Sequence, residues 1–311
     1  MFAFHGKKEK LKAWLKIARL QFYPMSWLAY SLGAVAIATE SGRFKLSGYL
    51  LGYAALFLTE FCTILTNEYF DFETDRQNRN FSIFTGGARA LVEKRLSFRQ
   101  VRMGIIFGLA LTALASVFLI GSVLPGNRFN IIVLLAAGIF LGLGYTFPPI
   151  KFSYRGAGEI VVGLTHSIYV ILCGYVFQGG SWNDPTPWLL GIPLFFAVFA
   201  ANILAGIPDR RADQAACKKS IAVLFGPRVS LMAAVVCSSL AFISGLFLTV
   251  SLLSMSLSYW FMFVLPHNIV LTYFLIHYLH VGQYEGRINV IMGLALSYII
   301  WFGLFPLISF C

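Results

Sequence analysis

Asn67-Glu68-Tyr69-Phe70-Asp71-Phe72-Glu73-Thr74-Asp75 closes an apolar run, residues 47–66. That run has about the 20 residues a helix needs to cross the hydrocarbon core of a bilayer. Asn67, Asp71 and Asp75 recur every four residues, which places them on one helical face, turn above turn. Carboxylates stacked that way repel one another unless a cation or a basic side chain lies between them. The pattern returns 138 residues later in Ile207-Pro208-Asp209-Arg210-Arg211-Ala212-Asp213-Gln214-Ala215-Ala216-Cys217-Lys218-Lys219-Ser220. Four of the chain's five aspartates lie in these two pairs.

The surroundings are greasy. The chain of 311 residues is 58% hydrophobic and 12% charged, about half the charged share of a soluble domain. Nine apolar stretches are read as spans: 22–40, 47–66, 102–124, 130–147, 158–178, 187–206, 228–251, 258–281 and 288–310. The expected fold is an all-α polytopic membrane protein, a single domain (1–311) built as a bundle of nine transmembrane helices. Residues 1–21 carry Lys7, Lys8, Lys10 and Lys12 beside Trp14, Leu15 and Ile17. They show no signal-peptide cleavage pattern and are expected to lie as an amphipathic arm on the membrane surface. Cys62, Cys173, Cys217, Cys237 and Cys311 have neither metal-ligand nor disulfide-framework spacing.

The net charge of +11 does not point to nucleic acid. Basic residues mark the cytoplasmic side of a membrane protein. With these spans, 21 of the 24 Lys and Arg residues fall on one side, and only Arg43, Lys45 and Arg128 on the other. The N-terminus is therefore expected in the cytoplasm. Both aspartate pairs fall on that same side, one after the second span and one after the sixth, so they can meet across a bundle. The connections around 67–101 and 207–227 are expected to cap the site.

The residue types suit a divalent cation held against a diphosphate. A hard cation such as Mg²⁺ prefers oxygen donors and is commonly held by one or two carboxylates plus substrate phosphates. Asn67 adds an amide oxygen. Arg79 and the stretch Thr85-Gly86-Gly87-Ala88-Arg89 follow the first pair, and Lys218 follows the second. Paired glycines let backbone N–H groups approach an anion, and arginine grips phosphate in a fork. Arg79, like Arg76, can also be read as ordinary positive-inside charge, and Lys219 as a solvated charge.

At these two segments the chain resembles the UbiA superfamily of intramembrane prenyltransferases. The family's Asn-x-x-x-Asp-x-x-x-Asp signature matches Asn67, Asp71 and Asp75, and its second Asp-x-x-x-Asp matches Asp209 and Asp213. Tyr145-Thr146-Phe147-Pro148-Pro149-Ile150-Lys151-Phe152, followed by Arg155-Gly156-Ala157-Gly158-Glu159, is similar to the loop before the family's fifth helix. Arg19 is similar to its early arginine. Thr85 to Arg89 and Gly226 look most like the 1,4-dihydroxy-2-naphthoate polyprenyltransferases of menaquinone synthesis. Cys217 and Ser220 depart from the usual glycine and threonine there, and Pro208 also occurs in other branches.

The resemblance implies Mg²⁺-dependent transfer of a polyprenyl group from a prenyl diphosphate to an aromatic acceptor. It implies Asn67, Asp71, Asp75, Asp209 and Asp213 as metal ligands, with Arg19, Arg79, Arg89, Lys151 and Lys218 at the diphosphate. Tyr145 would face an allylic cation. The implied localisation is a cell membrane with the site facing the cytoplasm. Glu159 reads either as a proton acceptor or as a helix N-terminal carboxylate, and His166 either as a cavity group or as a packing histidine. A UbiA-type terpene cyclase shares the ionisation step. Intramembrane acids and a possible internal repeat also fit a transporter, but both pairs sit at one membrane face rather than at the midplane.

Overall fold

A computed structural model describes residues 2–310 apart from 124, 253–256, 283 and 285, with side chains from residue 8 onward except 125. The Lys7 side chain and Cys311 thus lie outside the described residues. Every regular element described is helical. In order they are α1 (Phe2–Ala18), α2 (Tyr23–Ser41), α3 (Leu46–Phe70), α4 (Phe72–Gln77), α5 (Phe98–Ser122), α6 (Arg128–Gly144), α7 (Gly158–Thr165) and α8 (Ile168–Phe177). Then follow α9 (Pro185–Ala215), α10 (Ile221–Ser251), α11 (Leu257–Tyr259), a π-helical turn over Trp260–Val264, α12 (Leu265–Val281) and α13 (Asn289–Phe310).

Among the described residues, seven helices are long and apolar enough to cross a membrane: α3, α5, α7 with α8, α9, α10, α11 through α12, and α13. The chain is an integral membrane protein. The first and fourth expected spans coincide with α2 and α6. α6 has 17 residues, and α2 is diluted by Ser26, Ser31, Thr39 and Glu40, so neither meets the same measure.

The bundle is built by pairs. α10 runs along α9, α5 along α3 and α2 along α8, while α13 packs on both α2 and α9. α2 and α8 approach backbone to backbone at Gly33 and Gly174, where a Cβ would run into Ile171 O and Tyr30 O. Small residues of this kind let helices pack closely where no hydrophobic effect drives them together. Only 17% of α5's apolar window is buried, against 61% of α9's. α9 and the equally buried α7–α8 span therefore lie at the centre, and α5 turns Phe107, Val117 and Phe118 outward to where lipid would lie.

Three details differ from the sequence expectation, and all shape the site. The stripe from Asn67 to Asp75 is not on one helix. α3 ends at Phe70, Asp71 takes φ −90° and ψ 7°, and α4 restarts beyond it. Residues 207–215 are helix rather than loop, because α9 continues through Pro208 to Ala215. The fifth span is broken at Ser167 (φ −134°, ψ −98°), where Thr165 and Ser167 hydroxyls bond back to the carbonyls of Val161 and Gly163. Such back-bonding competes with the helical ladder, and irregular backbone inside a membrane is tolerated where it borders a cavity.

The N-terminal arm is helical, as α1, and is anchored to protein. Ala13 and Ile17 are buried against Leu65, Leu91 and Val101, and Lys16 pairs with Glu93 at 2.8 Å. Leu11 and Leu15 stay exposed. Cys62, Cys173 and Cys237 are buried and free, and Cys217 is exposed and free.

Candidate active site

The ends of α3, α4, α7 and α9 enclose one cavity of about 360 Å³. Its wall is polar at one end, where Asn67, Asp71, Asp75, Asp209, Asp213 and Lys218 meet. The other end is apolar, lined by residues such as Val198, Ala201, Met292 and Leu296. The two aspartate pairs, far apart in sequence, thus share one pole.

Each carboxylate is held by a different device. Asp71 Oδ1 accepts a hydrogen bond from the Tyr154 hydroxyl at 2.9 Å, and its Oδ2 lies 2.9 Å from Lys218 Nζ. Lys218 also reaches Asp213 Oδ1 at 3.6 Å, and Ser220 donates to Asp213 Oδ2 at 3.3 Å. Asp209 accepts from Asn78 Nδ2 at 2.7 Å and from the Gly86 N–H at 3.2 Å. Asn67 Oδ1 accepts from the Thr146 hydroxyl at 2.8 Å. Asp75 packs against Gly87, whose backbone (φ 71°) leaves no room for a Cβ beside the carboxylate.

Glu68 holds the intervening loop. It is buried and accepts from the Ala88 N–H at 3.0 Å and the Leu91 N–H at 3.3 Å. The glycine-rich turn is therefore tied from both sides, by Glu68 of α3 and Asp209 of α9.

Electrostatics at this pole are lopsided. Burial, with Glu68, Asp71 and Asp209 nearby, pushes the Asp75 carboxyl well above the usual carboxylate range. Burial opposes the charge on Lys218, but Asp71 and Asp213 override it and hold the ammonium above its ordinary value. Burial lowers the Arg19 guanidinium against the pull of Asp75 and Asp209. Burial also lifts the Tyr145 phenol, keeping it neutral, and lifts Tyr154 to about 12 with Asp71 adding to the effect. Oxygen donors thus outnumber the cations around them. That is the donor chemistry of a hard-cation site completed by phosphate oxygens. Among the described residues, no three His, Cys, Asp or Glu side chains already converge on one point that could hold a metal.

The remaining predicted residues divide. Arg19 and Tyr145 line the cavity, and Arg19 Nη2 donates to Phe84 O at 2.8 Å. Arg89 turns away from the cavity. It donates to the backbone carbonyls of Asp75 and Asn78 and stacks over Phe81 at 4.1 Å. Arg79 is exposed, and Lys151 lies over the Tyr154 ring at 4.5 Å. Neither borders the cavity. Glu159 opens α7 and accepts from the Ile221 N–H at 2.6 Å, so its carboxylate also serves the start of α10.

Asn78, Thr146 and Tyr154 escape a reading of the sequence. Asn78 extends the aspartate stripe by three residues, a signal that was present. Thr146 and Tyr154 are recognisable only once their loop folds onto α3.

A model of the UbiA prenyltransferase family matches residues 26–305. The 1,4-dihydroxy-2-naphthoate octaprenyltransferase of Bacillus subtilis (strain 168) is 25% identical over 229 residues, 71% of each chain. A UbiA homolog from Aeropyrum pernix K1 shares the fold with a TM-score of 0.66 at 17% identity, covering 92% of this chain and 98% of its own. A UbiA homolog from Archaeoglobus fulgidus, solved bound to DMAPP and Mg²⁺, gives 0.58 at 16% identity, covering 94% and 98%.

Proposed function

We propose, for a chain that belongs to the UbiA prenyltransferase family, that it moves a polyprenyl group from its diphosphate to an aromatic acceptor, 1,4-dihydroxy-2-naphthoate. The observation that carries this reading is the convergence of both aspartate pairs and Lys218 on one pole of a cavity whose remaining wall is largely apolar. A diphosphate suits that pole and an isoprenoid tail suits the rest. The naphthoate acceptor is supported by the Bacillus subtilis relative's own reaction, and the metal by the archaeal homolog bound to DMAPP and Mg²⁺.

Asp71, Asp75, Asp209 and Asp213, with the amide oxygen of Asn67, would hold Mg²⁺. When bound, the metal neutralises diphosphate oxygens and makes the diphosphate a better leaving group. Lys218 and Arg19 add fixed positive charge where negative charge grows as the C–O bond breaks. Arg89, anchored on the carbonyls of Asp75 and Asn78, shapes the loop that carries Gly86 and Gly87. The Tyr145 ring, neutral and at the cavity wall, can face an allylic cation. The apolar walls keep water from it. The distribution of basic residues supports nine spans with this pole at the cytoplasmic face.

The test is product analysis by mass spectrometry. Purified protein receives Mg²⁺, a long-chain prenyl diphosphate and a panel of aromatic acceptors, beside Asp71→Ala and chelator controls. A prenylated naphthoate that disappears in both controls is expected. Cyclised hydrocarbon formed without acceptor would replace transfer by cyclisation. Transfer to another ring would replace the acceptor alone.

A further inference from the structure

The cavity has a second polar point that the diphosphate reading leaves unused. Glu60 of α3 and His166 after α7 both line it, with Glu60 Oε1 3.9 Å from His166 Nε2. The Glu60 side chain is 16% exposed and that of His166 33%. An ionisable residue within a membrane-spanning helix is costly and is usually kept for a ligand or a proton.

The imidazole tautomer follows from its other contacts. His166 Nδ1 lies 3.2 Å from Val162 O, and a carbonyl can only accept, so Nδ1 carries the proton. Thr165 Oγ1, 3.1 Å from the same nitrogen, spends its own hydrogen on Val161 O. Nε2 is then left with a lone pair facing Glu60. Two acceptors face each other, and a hydroxyl placed beside them can donate its one hydrogen to either. Beside Glu60 stand Tyr23 and Ser26, whose buried hydroxyls make no hydrogen bond of good geometry.

Position assigns the missing partner. Glu60 precedes Asn67 by seven residues, two turns and about 10 Å along the same face of α3. A prenyl chain has no hydrogen-bonding atom to offer there. An aromatic ring placed next to the first prenyl carbon carries its hydroxyl to this depth.

We propose that Glu60 and His166 bind and deprotonate the hydroxyl of the aromatic acceptor. This rests on the transfer reading above. The acceptor O–H bond breaks, its electron pair stays on oxygen, and the proton passes to His166 Nε2, where the Glu60 carboxylate stabilises the imidazolium. Electron density moves into the ring, and the hydrogen-bearing carbon ortho to that oxygen bonds to the first prenyl carbon. The prenyl C–O bond breaks and its electron pair leaves with diphosphate. That ring carbon then loses its proton to the departed diphosphate, and the ring oxygen takes one back from His166.

The test compares Glu60→Gln and His166→Asn with wild type on 1,4-dihydroxy-2-naphthoate and on its O-methyl ethers. Wild type is expected to prefer the free hydroxyl. In both variants kcat/KM for the free hydroxyl should fall about 100-fold, far more than for the ethers, so the preference collapses. Calorimetric binding of prenyl diphosphate with Mg²⁺ should stay within twofold, which confirms the fold. Variants that keep the wild-type preference overturn the proposal, as do variants that lose prenyl diphosphate binding, since the pair would then serve the donor tunnel. Wild type that binds prenyl diphosphate but prenylates no ring refutes the transfer reading itself, and this proposal with it.

Discussion

Lys218 Nζ lies 2.9 Å from Asp71 Oδ2, and both side chains are about one-tenth exposed. This ion pair ties the break after α3 to the loop after α9, and so brings the two aspartate segments together. A buried pair broken on one side leaves an uncompensated charge that costs about 3–5 kcal/mol. Lys218→Met should therefore lower the thermal stability of the metal-free protein in detergent by that order. Mg²⁺ with a prenyl diphosphate should recover part of the loss, because a second source of positive charge then meets Asp71 and Asp213. An unchanged melting temperature without metal would show that the pair does not hold the segments together.

Glu68 offers a separate lever on the same loop. Its carboxylate receives the N–H groups of Ala88 and Leu91, bonds that are charge-assisted and buried. Glu68→Gln keeps the shape and one acceptor, and loses the charge. A loss of about 1.5–3 kcal/mol is expected, felt first as faster proteolysis between residues 80 and 96. Equal cleavage rates in the variant and wild type would count against this tether.

The pH response follows from Asp75. Its folded pKa is raised, so the fold favours the neutral carboxyl. In the metal-free protein the destabilising cost of ionising Asp75 is fully present above the folded value. That cost is relieved as pH falls through the folded value towards the ordinary carboxylate range. Metal acts the other way, since it must displace the proton. Apparent Mg²⁺ affinity should rise with pH by up to about tenfold per unit in that window. Asp75→Asn should flatten the rise. A Mg²⁺ titration with a non-reacting prenyl diphosphate analogue, from mildly acid to neutral pH, reads both slopes.

Much of this was legible before any coordinates. Repeated apolar runs of about 20 residues, long enough to cross a bilayer, gave the membrane bundle, and a spacing of four gave the aspartate stripe. What was not legible depends on distant contacts. Asp71 leaves the helix, where Tyr154 and Lys218 take its two oxygens, and residues 83 and 147 positions away cannot be paired from spacing. Arg89 looked like an anion grip because Gly-Gly-x-Arg has that chemistry, yet its guanidinium meets carbonyls instead. Glu60 had a local signal, a lone acid within an apolar run one heptad before Asn67. Its meaning emerged only when the broken fifth span set His166 opposite it.

Gly87 is the sharpest test of how closely the loop fits the site. Its φ of 71° is one that side chains rarely adopt, and an added Cβ would strike the Asp75 carboxylate. Relieving that clash means moving the loop or the carboxylate, and the left-handed backbone adds about 1–3 kcal/mol of strain. Gly87→Ala should reduce metal-dependent prenyl diphosphate binding at least tenfold, while Gly121→Ala, with open space around it, should leave binding unchanged. The comparison is best read by calorimetry, because binding separates displacement of Asp75 from any later effect on transfer. If Gly87→Ala binds as wild type does, Asp75 can move freely without loss, and its place among the metal ligands would have to be given up.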